Sequence, residues 1–275
     1  MAVNESSGME GLNDVSMYDI DEHVSELYDR QESGTDDVGL IRRLIADAGP
    51  LRVLEPLCGT GRILVPLVLD GHTGVGLDRS RVLLDRVRGK LRELPVDAQQ
   101  RLGLVEPDVL AGDWPRPFDL VILGGNFLYE LATPEEQELC IARASLSLKT
   151  GGYLYMDNDH MEGDLDPSWR RIGVQQSCFP SGVCADGTRI SATIETVWFD
   201  RQLRLVRFNR TATIEQADGT VETREWTQQK HPPSTREMAG WLDKHGFAIQ
   251  AFYGDRGGGP YTESSERAIF WAKKK

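Results

Sequence analysis

The sequence predicts an α/β protein: a doubly wound, largely parallel sheet with helices on both faces, interrupted by an antiparallel β insertion. Three observations carry this. Residues 53 to 61, Val-Leu-Glu-Pro-Leu-Cys-Gly-Thr-Gly, join a short apolar strand to a Gly-x-Gly turn that opens a helix. Up to residue 157 the chain then alternates strand-like and helix-like runs. From Arg189 to Gln229 it turns to Thr, Val, Ile, Trp and Phe around an Asp218-Gly219 hairpin signal, the pattern of an antiparallel meander.

Taken in order, Met1 to Asn13 reads as a disordered leader, and Met17 to Arg30 as an amphipathic segment with Tyr18, Val24, Leu27 and Tyr28 at near-helical spacing. Asp36 is positioned to cap a helix carrying Leu40, Ile41, Leu44 and Ile45, which Gly49-Pro50 ends. The alternation follows: strand 51–55, helix 61–70, strand 73–77, helix 80–94, strands 102–106 and 118–123, helix 134–148 and strand 152–157. Three antiparallel strands occupy 189–200, 202–216 and 220–229. Ser234-Thr-Arg-Glu237 is a capping box for a helix running to His245-Gly246, and strands 247–253 and 267–272 close the sheet.

Ligands of such sheets bind at the carboxyl ends of the strands, where Glu55, Asp78, Asp108, Asn126 and Asp157 all fall. Glycine at 59 and 61 lets the backbone turn sharply and approach a ligand, while the N–H groups of a helix beginning at Arg62 face a carboxylate or phosphate. Asp78, 19 residues past Gly59, ends the second strand where an acid meets ribose hydroxyls. The third glycine of a dinucleotide fingerprint is replaced by Leu64, which disfavours NAD and FAD, and no Gly-Lys-Ser/Thr follows to make a phosphate loop. What remains is a nucleoside carrying a small zwitterion.

Composition narrows the class. At 275 residues and 40% hydrophobic content the chain can bury one large core with an insertion. A net charge of −12 without a clustered Lys/Arg face argues against nucleic-acid binding. No apolar run approaches about 18 residues and the first residues are acidic and polar, so the chain reads as cytoplasmic, without a membrane partner. Cys58, Cys140, Cys178 and Cys184 form no Cys-x-x-Cys pair and read as free thiols rather than a zinc site.

From Glu55 to Gly61 the chain closely resembles the class I S-adenosylmethionine-dependent methyltransferases, whose first motif is Asp/Glu-x-x-x-Gly-x-Gly; Pro56 and Leu57 replace the smaller residues common there. Val105-Glu-Pro-Asp108-Val109 is similar to the third-strand motif, in which a carboxylate takes the adenine amino group and the next N–H meets the ring. Asp113, in Ala111-Gly112-Asp113, is the alternative acid. Gly124-Gly-Asn126-Phe-Leu-Tyr129-Glu130 resembles the Gly-Asn-Ser stretch of glycine N-methyltransferase-like enzymes, and Leu148-Lys-Thr-Gly-Gly152 the turn before the fifth strand. The resemblance spans residues 51 to 157. It implies a Rossmann-like seven-stranded sheet, S-adenosyl-L-methionine as cofactor, and cofactor contacts from Tyr18, Tyr28, Glu55, Leu57, Gly59, Gly61, Asp78, Arg79, Asp108, Val109 and Asn126. It also implies three regions: 1–35, a leader and active-site helix; 36–165 with 232–275, the cofactor-binding core; and 166–231, a lid of the kind carried by small-molecule N-methyltransferases of amino sugars, glycine or glycopeptide amines. Whether that insertion covers a substrate or joins a homodimer is left open by the residues.

The function expected is methyl transfer to a small-molecule amine such as an amino sugar, with O-methylation of a natural product and non-catalytic cofactor binding as the alternatives. An amine nucleophile must lose a proton, for which Glu130, His231 and Tyr129 are candidates. Each also has a plain structural reading: Tyr129 and Trp226 as packing, and His231 as part of a rigid His-Pro-Pro turn. Asp157-Asn158 fits part of a metal-dependent catechol O-methyltransferase site, but Gly124-Gly125-Asn126 stands where that class places a further Asp, so no metal is expected.

Overall fold

A computed structural model describes residues 16–160 and 169–275; the leader expected at 1–13 and the boundary expected at 165/166 lie outside them. The central sheet has seven strands: β1 (Arg52–Pro56), β2 (Thr73–Leu77), β3 (Leu102–Val105), β4 (Phe118–Leu123), β5 (Leu148–Asp159), β10 (Phe247–Tyr253) and β11 (Arg267–Lys274), ordered β10-β11-β5-β4-β1-β2-β3. The first five run parallel, and β11 is antiparallel to both neighbours. Because successive strand residues point to opposite faces, the apolar runs feed two cores. Leu54, Val121, Leu123, Leu154 and Met156 pack on one face with α6 (Pro134–Ser147) and α7 (Thr235–Lys244). Val53, Leu120, Ile122 and Tyr155 pack on the other with α2 (Asp36–Leu44), α3 (Leu64–Leu69) and Val87 of α4 (Arg81–Arg92).

The chain builds β1, β2 and β3 outward, then crosses to place β4 on the other side of β1. That reversal opens a crevice beyond the carboxyl ends of β1 and β4.

A second sheet, ordered β6-β7-β8-β9, is antiparallel throughout: β6 (Gln175–Val183), β7 (Arg189–Asp200), β8 (Leu205–Glu215) and β9 (Val221–Lys230). It does not stand alone. Met17, Ile20, and Val24 and Leu27 of α1 (Val24–Gln31) share a buried cluster with Cys184, Ile190, Ala192, Ala212, Ile214 and Trp226, so the amphipathic N-terminal segment buries its apolar side on the insertion. Trp226 is a packing residue here.

The structure differs from the sequence expectation at several places, among them β5, which begins at Leu148 rather than 152, and β8, which begins at Leu205 rather than 202. Strand β6 is additional: Pro180 and Gly182 weaken its strand signal, and both are tolerated because β6 lies at the sheet edge with a register shift between Cys178 and Gly182. The short helix α5 (Val96–Gln100) is also additional. Thr35, not Asp36, is the N-cap of α2, with Asp36 and Asp37 in its first turn. Helix α3 starts at Leu64 rather than 61, since residues 59–63 are spent on turns. The two capping boxes, Thr133 with Glu136 and Ser234 with Glu237, close fully. Among the described residues no helix is long and apolar enough to cross a membrane.

Gly61 has φ +74, and a Cβ there would meet Val65 Cγ2 at 2.9 Å and Val87 Cγ1 at 3.2 Å. Its bareness therefore serves the packing of α3 and α4 against the turn, not ligand approach as expected. Gly61→Ala combines left-handed strain with overpacking and is expected to cost about 1–3 kcal/mol, read as a lower midpoint in chemical denaturation; an unchanged midpoint would refute this role.

Candidate functional site

The crevice at the switch point is lined from four strand ends: Glu55, Leu57, Cys58 and Gly59 after β1, Asp78 and Arg79 after β2, Asp108, Val109 and Leu110 after β3, and Gly124, Gly125, Phe127 and Glu130 after β4. Arg62 and Ile63 line it from the glycine turn, and Ser16, Tyr18 and Tyr28 from the N-terminal segment. That segment is held over α4: Ser80 caps the helix and donates to Asp19, while Asp29 accepts from Arg86 at 2.8 Å and Lys90 at 2.7 Å.

Two acids dominate the floor. Asp78 is buried, its Oδ2 accepting from the Gly59 N–H at 2.9 Å and its Oδ1 from the Ser80 N–H at 2.9 Å. One lone pair per oxygen remains for a further donor. Glu55 is buried on the adjacent strand, and its Oε2 has no hydrogen-bond partner among the described residues. Burial pushes the Glu55 carboxyl up to about 8, with Arg62 pulling the other way. Burial raises Asp78 to about 6, against the two backbone donors. Both groups are therefore poised to gain from a cationic or multiply donating ligand.

Arg62 reaches the cleft from a fixed position. It donates to Asp37 Oδ1 at 2.8 Å, Asp37 Oδ2 at 2.6 Å and the Gly34 carbonyl at 2.7 Å. Asp37 is fully buried and Arg256 stands 3.7 Å from it; Arg256 in turn donates to Asp157 at 2.9 Å. Tyr18, Tyr28 and Phe179 of β6 form a mutually edge-packed or tilted aromatic trio, with ring centroids 5.8–6.1 Å apart, beside the cleft.

The glycine turn works differently from the expectation. The Gly59 N–H is already taken by Asp78, and α3 begins too late to aim its N–H groups as a helix starting at Arg62 would. A Cβ on Gly59 (φ +54) would meet nothing within 4 Å, so its bareness does keep the cleft open. Leu57 also adopts a left-handed conformation (φ +51) and packs its side chain against the core.

Of the other candidates, Asp108 lines the cleft and Asp113 does not. Asn126 lies beside the cleft rather than on it: its side chain donates to Asp159 at 2.9 Å and accepts from Arg267 at 3.0 Å. Asp157 is engaged by Arg256 and by Arg267 at 2.5 Å. Tyr129 is buried and its hydroxyl donates to the Asp159 carbonyl at 2.8 Å. His231 is 1% exposed, with Nδ1 donating to Gln137 Oε1 at 2.7 Å and Nε2 3.5 Å from Glu237. Gln137 also donates to the Leu128 and His231 carbonyls, so this histidine locks the end of the insertion to α6. Glu130 alone of the three proposed proton acceptors faces the cleft. Sequence reasoning missed Arg62, whose position next to Gly61 was a usable signal. It also missed Lys230, 3.6 Å from Glu130, for which the sequence held none because the contact spans a hundred residues.

No protein-family model matches the sequence, and no curated protein matches it. The fold does match solved structures. The CcbJ methyltransferase from Streptomyces caelestis is 17% identical with TM-score 0.68, covering 91% of this chain and 96% of that one. An S-adenosylmethionine-dependent methyltransferase from Clostridium acetobutylicum is 14% identical with TM-score 0.70, over 91% and 97%. The sugar N-methyltransferase KedS8 from a Streptoalloteichus species is 18% identical with TM-score 0.69, over 100% and 99%. This chain thus has the fold of the class I S-adenosylmethionine-dependent methyltransferases, antiparallel insertion included.

The two acids give the site a pH signature. Their folded values lie above the ordinary 4.5 and 3.8, so the folded chain holds protons that the unfolded chain gives up. The stability they contribute is full below about pH 4 and is lost as pH rises, through about 6 for Asp78 and about 8 for Glu55. Between pH 5 and 8 the ligand-free protein should therefore lose melting temperature relative to Glu55→Gln by at least about 2–4 °C. Parallel melting curves of the two proteins would contradict it.

Proposed function

We propose that this chain is an S-adenosylmethionine-dependent methyltransferase of a small-molecule amine, an amino sugar being the acceptor class suggested by structural neighbours such as the sugar N-methyltransferase. The observation that carries the reading is the pair of buried acids at adjacent strand ends, one with an orphaned oxygen and one with two lone pairs free. A nucleoside joined to an amino acid offers the matching groups: vicinal ribose hydroxyls for Asp78 and an ammonium for Glu55. In this reading Arg62 would take the carboxylate, and Asp108 with the Val109 backbone the adenine edge; all three line the cleft. The aromatic trio of Tyr18, Tyr28 and Phe179 stands beside the cleft, where it would shield a bound cofactor from water.

When bound, S-adenosylmethionine supplies an electrophilic methyl group and its own leaving group. The chain's work is to align the acceptor and manage one proton. With a lysine-like value of ~10.4, only about one amine in 10³ is neutral at pH 7, a cost of roughly 4 kcal/mol. Glu130 is positioned to receive the amine as an ammonium and hold its proton as the nitrogen lone pair turns to the methyl group. An alcohol acceptor would need a stronger base, and the histidine proposed from the sequence, His231, stands beside Glu237 in the structural lock and not at the cleft.

Asp78→Ala should weaken S-adenosylhomocysteine binding at least about tenfold by calorimetry, through loss of charge-assisted hydrogen bonds. Gly59→Val should abolish binding in a folded protein, since its side chain enters the open cleft. Wild-type affinity in both variants would overturn the assignment. A screen with radiolabelled cofactor against amino sugars, amino acids and phenols tests the acceptor class; turnover of phenols alone would exclude the amine.

A further inference from the structure

Glu55 and Arg62 line the same cleft and carry opposite charges when ionised, yet they do not pair. Glu55 Oε2, buried near the end of β1, has no hydrogen-bond partner among the described residues, although Arg62 is the cation that most favours the ionised form of this carboxyl. A guanidinium beside a buried carboxyl ordinarily closes on it through two parallel hydrogen bonds, because an uncompensated buried polar group is costly. Here another acid has taken the guanidinium first.

That acid is Asp37, in the first turn of α2. It is 0% exposed and engages Arg62 with both oxygens, Nη1 donating to Oδ1 at 2.8 Å and Nη2 to Oδ2 at 2.6 Å. The Gly34 carbonyl, just before the helix, accepts from Nη1 as well at 2.7 Å. Arg256 stands 3.7 Å from Asp37 Oδ2 and is itself held by Asp157 at 2.9 Å, so Asp37 is flanked by two guanidinium groups. The planar fork of Arg62 is thereby committed to α2 and withheld from β1. The Asp37 charge also raises the Glu55 carboxyl, where Arg62 lowers it.

We propose that Asp37 is a positioning residue for the cofactor site: by engaging Arg62 through both oxygens it stops the guanidinium from closing on Glu55, which stays vacant for the ammonium while Arg62 stays fixed for the carboxylate. This rests on the methyltransferase reading above. The amino-acid end of a cofactor needs an acid and a cation on one cleft, and two such groups left to themselves would neutralise each other. A third charge, set deeper than either, keeps them apart. Burying an acid is costly even when it is paired; here the cost maintains a separation that the free cleft would otherwise lose.

The test compares two ligands by calorimetry at pH 7, S-adenosylhomocysteine and 5′-methylthioadenosine, which lacks the amino-acid end. In Asp37→Asn the guanidinium is released to pair with Glu55, so S-adenosylhomocysteine should bind at least about tenfold more weakly, while 5′-methylthioadenosine binds as in the wild type and reports an intact cleft. Glu55 is then ionised before the ligand arrives, and the proton released on S-adenosylhomocysteine binding should fall below about half its wild-type value. Combining Asp37→Asn with Arg62→Met removes the competing cation and should restore the proton release without restoring affinity, an outcome that a merely structural ion pair does not produce. Wild-type affinity and proton release in Asp37→Asn, or equal weakening of both ligands in the folded variant, overturns the inference. If Asp37→Asn does not fold, Asp37→Glu decides, since it keeps the charge and shifts the fork by one methylene: a lowered ratio of S-adenosylhomocysteine to 5′-methylthioadenosine affinity supports the inference and an unchanged ratio overturns it. Failure of the wild-type chain to bind S-adenosylhomocysteine would instead overturn the methyltransferase reading.

Discussion

Two carboxylates on neighbouring parallel strands, both withdrawn from water, organise this molecule. Register pairs Glu55 with Gly76 and Pro56 with Leu77, so Asp78 emerges two residues beyond Glu55's neighbour, at the same carboxyl end of the sheet. Asp78 is partly stabilised by the Gly59 and Ser80 N–H groups, which ties the glycine turn after β1 to the cap of α4. Glu55 retains an oxygen without a partner. A fold keeps such a group only where another requirement opposes its removal, and here the surrounding geometry supplies a cleft for a cation.

The remainder of the site is built to hold that arrangement still. Arg62 is fixed by Asp37, Asp37 is approached by Arg256, and Arg256 and Arg267 share Asp157 at the end of β5. This network runs from α2 through the core to the loop following β10. On the opposite side, the insertion and the N-terminal segment share one apolar cluster, and Phe179 packs against Tyr18 and Tyr28, which line the cleft. The insertion contributes Phe179 to the aromatic cover and Lys230, which stands 3.6 Å from Glu130.

Much of this was legible in the residues. Strands β2, β4, β7 and β10 match their expected limits, because apolar runs bounded by Gly, Pro, Asp or Asn leave little choice of period. Glu55 and Asp78 were legible because an acid beside a glycine turn and another after the next strand have few packing reasons to coexist, and Asp108 through the resemblance to a third-strand motif; all three line the cleft. The two glycines looked equivalent in sequence but differ in space: one faces the cleft, the other faces Val65 and Val87. Edge strand β6 was hidden by a proline that only its edge position permits. His231 and Tyr129 looked like proton acceptors by residue type, yet their polar atoms are committed to Gln137 and to the Asp159 carbonyl. Lys230 could not be read at all, since its contact with Glu130 joins residues a hundred positions apart.

The central claim is that the buried Glu55 carboxyl, protonated in the free protein near neutral pH, ionises to meet the cofactor's ammonium. Calorimetric titration of S-adenosylhomocysteine at pH 7, repeated in buffers of different ionisation enthalpy, counts the protons exchanged on binding. With Glu55 at about 8 in the free chain, binding should release close to one proton, and Glu55→Gln should remove most of that release. Tight binding with no proton release in the wild-type protein, or the same release in Glu55→Gln, would contradict the account.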